Sequence, residues 1–143
     1  MKKILLSLMF IFSFSVCCMA EENAQNETYD WEPLLACIIH VESKGNPKAK
    51  NGDYVGVLQI STGMVKECNN ILRKRGSSKR FSLADRYNAE KSKEMFVIFQ
   101  SRHNPSNNVE RAIRSWNGGA RYTVRGTQRY YEKVMNMYKK TDA

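Results

Sequence analysis

Apolar residues in this chain fall into stretches with helical spacing, separated by short polar, glycine-bearing segments. Trp31, Leu34, Leu35, Ile38 and Val41 recur at three- and four-residue intervals, with Ile39 beside them, and predict a first helix. Asp30 suits its N-cap, and Glu32 and Pro33 suit its first turn. Gly45 followed by Asn46-Pro47 ends it. Met64, Val65, Cys68, Ile71 and Leu72 form a second stripe, starting at Thr62 with Ser61 as cap and stopping at Gly76. A third helix runs from about Ala89 to His103, with Met95, Phe96 and Phe99 as its core face and Val97 and Ile98 widening it. A fourth spans about Asn108 to Trp116, with Val109, Ala112, Ile113 and Trp116 on one face and Asn117-Gly118-Gly119 at its end. A fifth runs from Thr127 to Lys140. No stretch sustains an alternation of period two. The Asn51-Gly52-Asp53 turn signal allows at most a short β-hairpin near 51–57. The pattern therefore predicts a mainly α fold.

Length adds that 143 residues form one domain with a modest core. The first twenty residues stand apart from it. Lys2 and Lys3 precede an apolar run from Ile4 to Val16, and Cys18-Met19-Ala20 puts small residues at the two key cleavage positions. This reads as a secretory signal cut after Ala20, so the protein is expected to be exported, to the periplasm or cell envelope. The run is short for a spanning helix, and nothing later is long and apolar enough to be one. A lipid anchor at Cys17 or Cys18 is the alternative, although neither follows the usual acylation triplet. Residues 21–30 read as a polar, disordered lead-in and 31–143 as the folded domain. Cys37 and Cys68 remain in the mature chain, either as a disulfide joining the first two helices or as two buried thiols.

The chemistry concentrates at Glu42. It lies four residues after Ile38 and so continues the apolar face of the first helix. A carboxylate there is either solvated at the helix end or half-buried with a raised pKa, the helix C-terminal dipole also disfavouring the anion. A carboxyl group held protonated near neutral pH suits general-acid work. Asp53 is the other acid in the following loop. It reads as a turn residue bonding its own backbone or as a second catalytic carboxylate. His40 and His103 are the only histidines, and Cys37 and Cys68 show no ligand spacing, so neither a metal nor another cofactor is expected. There is no phosphate-binding glycine loop and no serine-nucleophile motif.

Glu42-Ser43-x-Gly45-Asn46-Pro47-x-Ala49, followed by Gly56-Val57-Leu58-Gln59, resembles the soluble lytic transglycosylases, lysozyme-like enzymes that cut peptidoglycan. The family's Gly-Leu-Met-Gln is here Gly-Val-Leu-Gln. Asp85 and Asn88 fall where the family opens a long helix, and Ser115-Trp116-Asn117-Gly118-Gly119 takes the place of its Ala-Tyr-Asn-Ala-Gly. Thr127-Gln128-Arg129-Tyr130-Tyr131 resembles its closing segment, in which a tyrosine reaches the cleft. The resemblance covers nearly all of the chain from Trp31 onward and implies a lysozyme-like helical domain. It implies Glu42 as catalytic acid, with Ser43, Gln59, Trp116, Asn117 and Tyr130 as glycan-binding residues. Trp116 replaces the family tyrosine, so it offers an indole for stacking or one hydrogen bond and no phenol.

Glycoside cleavage ordinarily takes two carboxylates. One well-placed acid fits a lytic transglycosylase, whose substrate supplies what the second would. The expected reaction cuts the β-1,4 bond between N-acetylmuramic acid and N-acetylglucosamine and closes a 1,6-anhydro ring. Two alternatives stand beside it: an inverting lysozyme-like muramidase with Asp53 as base, and a catalytically idle module that docks on peptidoglycan. Ser61 stands just past Gln59-Ile60, where goose-type lysozymes often keep an acid, and this weakens the former. The net charge is +9; setting Lys2 and Lys3 aside leaves 21 basic and 14 acidic residues, or +7. That balance suits the acidic cell wall. Export and the lack of a nucleic-acid-binding motif argue against nucleic acid as a partner. Peptidoglycan strands are the expected partner, and the protein is expected to act as a monomer.

Overall fold

The computed structural model describes residues 29–141. The residues read as signal peptide and acylation sites, and the lead-in as far as Thr28, lie outside that range. Within it the chain forms α1 (Glu32–Ser43), a hairpin of β1 (Lys50–Asn51) and β2 (Tyr54–Val55), and α2 (Thr62–Lys74). A 3-10 helix (Leu83–Tyr87), α3 (Ala89–His103), α4 (Val109–Gly118) and α5 (Val124–Thr141) follow. The expected mainly helical fold with one short hairpin is the observed one. In the hairpin Lys50 faces Val55 and Asn51 faces Tyr54 in antiparallel register. Helix α2 packs on α3, α4 on α5, and α5 returns to α1.

The apolar stripes become the core. Leu34, Leu35 and Ile38 from α1 meet Leu58 and Ile60 from the loop after the hairpin. Met95 and Phe96 of α3, Ile113 of α4 and Val134 of α5 complete the centre. Trp31, Phe96 and Trp116 form an aromatic chain, with ring centroids 5.5 Å apart for the first pair and 5.0 Å for the second. Cys37 and Cys68 are both buried, and no disulfide joins them. The Cys68 thiol donates to the Met95 carbonyl at 3.3 Å, and burial pushes its pKa up to about 12, so it behaves as a small apolar residue.

Three helix ends differ from expectation. Helix α1 begins at Glu32 rather than Trp31, and Asp30 acts from one position further out, accepting from the Glu32 N–H at 2.9 Å. Tyr29 is also engaged, its ring 4.4 Å from that of Trp31, so order begins before Trp31. Helix α4 continues through Asn117 to Gly118, despite the low helix propensity of glycine. A Cβ on Gly118 would lie 2.7 Å from Tyr122 Cβ and 2.8 Å from Thr127 Cγ2, so close approach of the α5 segment requires glycine there. Helix α5 starts a turn before Thr127, because Thr123 Oγ1 caps the Gly126 N–H at 3.1 Å.

Two buried arginines hold the frame of the site. Arg114 of α4 reaches across to α5. It donates to the Val124 carbonyl at 3.1 Å, Thr127 Oγ1 at 3.2 Å and Gln128 Oε1 at 2.8 Å, and is paired with Glu110 at 2.7 Å. Arg86 of the 3-10 helix donates to the carbonyls of Asp53 at 2.8 Å and Ile60 at 3.2 Å, which fastens both flanks of the β2 loop.

Candidate active site

Glu42 sits in the last turn of α1, where the stripe that buries Ile38 brings it half into the protein. The helix ends on two consecutive left-handed residues, Lys44 (φ 53°) and Gly45 (φ 79°), and Lys44 rather than Gly45 is the C-cap. Tyr130 projects from α5 and donates its phenolic hydrogen to Glu42 Oε1 at 2.7 Å. Burial raises the pKa of Glu42, and the tyrosine hydrogen bond offsets this in part by favouring the anion. Burial and the neighbouring carboxylate together hold the Tyr130 pKa well above its ordinary value, so the phenol stays a donor.

The loop opposite Glu42 is set by Gly56. Its φ is +77°, and a Cβ there would lie 1.9 Å from the Arg86 carbonyl oxygen, a position only glycine can occupy. Ser43 clasps this loop to the end of α1: its Oγ donates to the Val57 carbonyl at 2.8 Å and accepts from the Gly45 N–H at 3.2 Å. Val57, Leu58 and Ile60 are buried, and between them Gln59 takes a left-handed conformation (φ 49°) that faces its side chain to the cleft. Gln59 Nε2 donates to the Gly56 carbonyl at 3.0 Å.

Two grooves meet at Glu42 and Asn117. A cleft of about 220 Å3 on the hairpin side is also lined by Asn51, Tyr54, Gln59 and Trp116. A groove of about 320 Å3 on the α5 side is also lined by Val41, Gly126, Arg129, Tyr130 and Lys133. The structure thus brings Glu42, Gln59, Trp116, Asn117 and Tyr130 together. Ser43 is not among the residues lining either groove; its hydroxyl is committed to the backbone. Trp116 is only 8% exposed, and its indole N–H donates to the Leu58 carbonyl at 3.3 Å. It therefore presents ring surface to the cleft and has no N–H left for a sugar.

Asp53 is turned elsewhere. Its Oδ2 accepts from the Thr62 N–H at 2.7 Å and Thr62 Oγ1 at 2.8 Å, at the start of α2, and its Oδ1 lies 3.3 Å from Arg86 Nη1. Those hydrogen bonds, led by the Thr62 backbone N–H, lower its pKa. It lines neither groove. Of the two readings of Asp53, the structural one matches this geometry, although the partner is the next helix rather than its own turn. Sequence reasoning missed Asn51 and Tyr54. Tyr54 is a large aromatic residue 54% exposed in a polar loop between Glu42 and Gln59, and that placement was the available signal.

The chemical outline is a single half-buried acid held by a phenol and flanked by carboxamides and aromatic surface. No helix among the described residues is long and apolar enough to cross a membrane. No curated protein and no solved structure matches the chain. The family model described as Transglycosylase SLT domain matches residues 19–138, which takes in every residue of both grooves. The chain therefore belongs to the transglycosylase SLT domain family, whose function is of the lytic-transglycosylase type and directed at peptidoglycan.

Proposed function

We propose that this protein is a peptidoglycan lytic transglycosylase that cuts the β-1,4 bond between N-acetylmuramic acid and N-acetylglucosamine and leaves a 1,6-anhydro-N-acetylmuramic acid end. The observation that carries this reading is the isolation of Glu42: it is the one carboxyl group lining the two grooves. Its raised pKa keeps it protonated further toward neutral pH than an ordinary carboxyl group.

In the first step Glu42 gives its proton to the glycosidic oxygen as the C1–O bond breaks. The acetamido carbonyl oxygen of the N-acetylmuramic acid residue stabilises the electron-poor C1. This is the substrate-assisted route, in which no second protein carboxylate takes part. In the second step the C6 hydroxyl attacks C1 from within the same sugar, and the Glu42 carboxylate takes its proton. The acid is regenerated and no water is consumed. Tyr130 stabilises the carboxylate between the steps by donating to Oε1. Gln59 and Asn117 offer carboxamides to the sugar hydroxyl and acetamido groups, and Trp116 and Tyr54 offer ring surface. Ser43 acts through its clasp on the loop. Because the substrate lies outside the cytoplasm, the same reading places the protein in the periplasm or cell envelope, working as a monomer.

The test is digestion of purified peptidoglycan. The wild-type protein is expected to release soluble fragments, while Glu42→Gln binds the wall and releases none. Binding without release by the wild-type protein as well would make it a docking module instead.

A further inference from the structure

The groove on the α5 side carries two cations that have no ion-pair partner among the described residues. Arg129 and Lys133 line it, one turn apart and on either side of Tyr130 in sequence. Both are exposed, and neither forms an ion pair or a hydrogen bond among the described residues. Some other cations are paired, Lys79 with Glu94, Lys91 with Asp85, Lys93 with Glu32 and Arg114 with Glu110, while others such as Lys66 and Arg121 have no ion-pair partner among the described residues. What sets Arg129 and Lys133 apart is their place in the groove beside the acid. Arg125 extends the row, giving three cations at four-residue spacing on α5. Like charges at that spacing destabilise a helix, so the row costs stability in the free protein and is relieved by a bound anion.

Resting on the proposed cleavage of peptidoglycan, the position of these cations limits what the anion can be. They stand beside the acid, in a groove that shares Glu42 and Asn117 with the cleft. The sugar backbone offers them no charge there, because the lactyl carboxyl of each N-acetylmuramic acid is consumed in the amide bond to its stem peptide. The anionic groups that a stem-bearing strand lying across Glu42 can offer are the free carboxylates of its stems. We infer that Arg129 and Lys133 form an anion subsite for a stem-peptide carboxylate, which makes the protein selective for strands that carry free, unamidated stems.

The test uses three strand preparations from one wall: native, with stem carboxyl groups converted to carboxamides, and stripped of stems by an amidase. The stripped strands expose the lactyl carboxylate. Cleavage rate and binding, the latter by fluorescence anisotropy of labelled strands, are measured for the wild-type protein and for Arg129→Gln/Lys133→Gln. Two exposed charge pairs predict a preference of about three- to tenfold for native over amidated strands. The preference should shrink as salt is raised. It should vanish in the double variant and persist in Arg129→Lys/Lys133→Arg, which keeps the charge. Stripped strands should behave like amidated ones; if they match native strands, the lactyl carboxylate is the anion and the stem assignment falls. Equal wild-type rates and affinities on native and amidated strands, or the same fractional loss on both in the double variant, would overturn the subsite. If the wild-type protein cleaves none of the three, the cleavage reading fails separately. The anisotropy comparison then decides the subsite alone: loss of the native preference in the double variant supports it, and no preference overturns it.

Discussion

Tyr130 Oη lies 2.7 Å from Glu42 Oε1, although 88 residues separate the two in sequence. The contact is made by α5 packing back onto α1, and Arg114 secures α5 from below through Val124, Thr127 and Gln128. The acid at the end of α1 is thereby held by a residue of α5, the last helix of the described chain. Trp116 has no phenol to offer, and Tyr130 is the phenol that bonds Glu42.

Replacing Tyr130 with phenylalanine removes a donor that favours the Glu42 anion. The pKa of Glu42 then rises further, and the high-pH limb of kcat/KM, where the acid loses its proton, moves to higher pH. The rate at the optimum should drop about 10- to 100-fold, since hydrogen bonds to charged groups are worth roughly 1.5–3 kcal/mol. A pH–rate profile checks both, and a limb displaced to lower pH would contradict this role.

Glu42→Gln should lower cleavage by about 10²- to 10⁴-fold, the usual worth of general acid–base help. It should also raise stability at neutral pH. The folded pKa of Glu42 lies above its unfolded value, so the folded state holds the proton more tightly and stability falls as pH climbs between the two values. Above that window the native state carries a desolvated anion, which the neutral amide avoids. Thermal unfolding at pH 7 should show a higher Tm for the variant, and the gain should disappear in acid, below the unfolded pKa.

Gly56→Ala tests the loop that presents Gln59. The new Cβ meets backbone, the Arg86 carbonyl, and it demands a positive φ from alanine. Left-handed strain alone costs about 1–3 kcal/mol, and the clash adds to it. Denaturant unfolding should show a loss of at least ~2 kcal/mol, with activity falling even where the protein stays folded. A variant within ~0.5 kcal/mol of wild type would mean that the loop relaxes freely.

The helices were legible because each buries one face, and burial repeats every three or four residues. Val65, Cys68, Ile71 and Leu72 are an apolar stripe in sequence and a buried row in space. Features that depend on two elements meeting were not legible. Gly118 lies inside α4 because α5 crowds it, and the arginine buried at position 114 looks in sequence like any solvated residue of an amphipathic helix. At the site, Glu42 announced itself by extending an apolar face with a charge. Tyr130 carried no such local signal and entered through the family resemblance alone. Gln59 and Ser43 came the same way, and only the fold separates the side chain facing the cleft from the one that clasps the backbone. Tyr54 was hidden because a two-residue strand is too short for its alternation to be read.

The central claim, one carboxyl group with no second one activating water, is tested most directly by the mass of the products. Fragments released from purified peptidoglycan should end in 1,6-anhydro-N-acetylmuramic acid, each lighter by one water than the corresponding lysozyme product. Asp53→Asn should leave the rate within about twofold, because its carboxylate is bound to Thr62 and Arg86 and general base help there would be worth ~10²-fold or more. Fragments with reducing ends, together with an Asp53→Asn protein that is folded and inactive, would contradict the account and make the protein an inverting hydrolase.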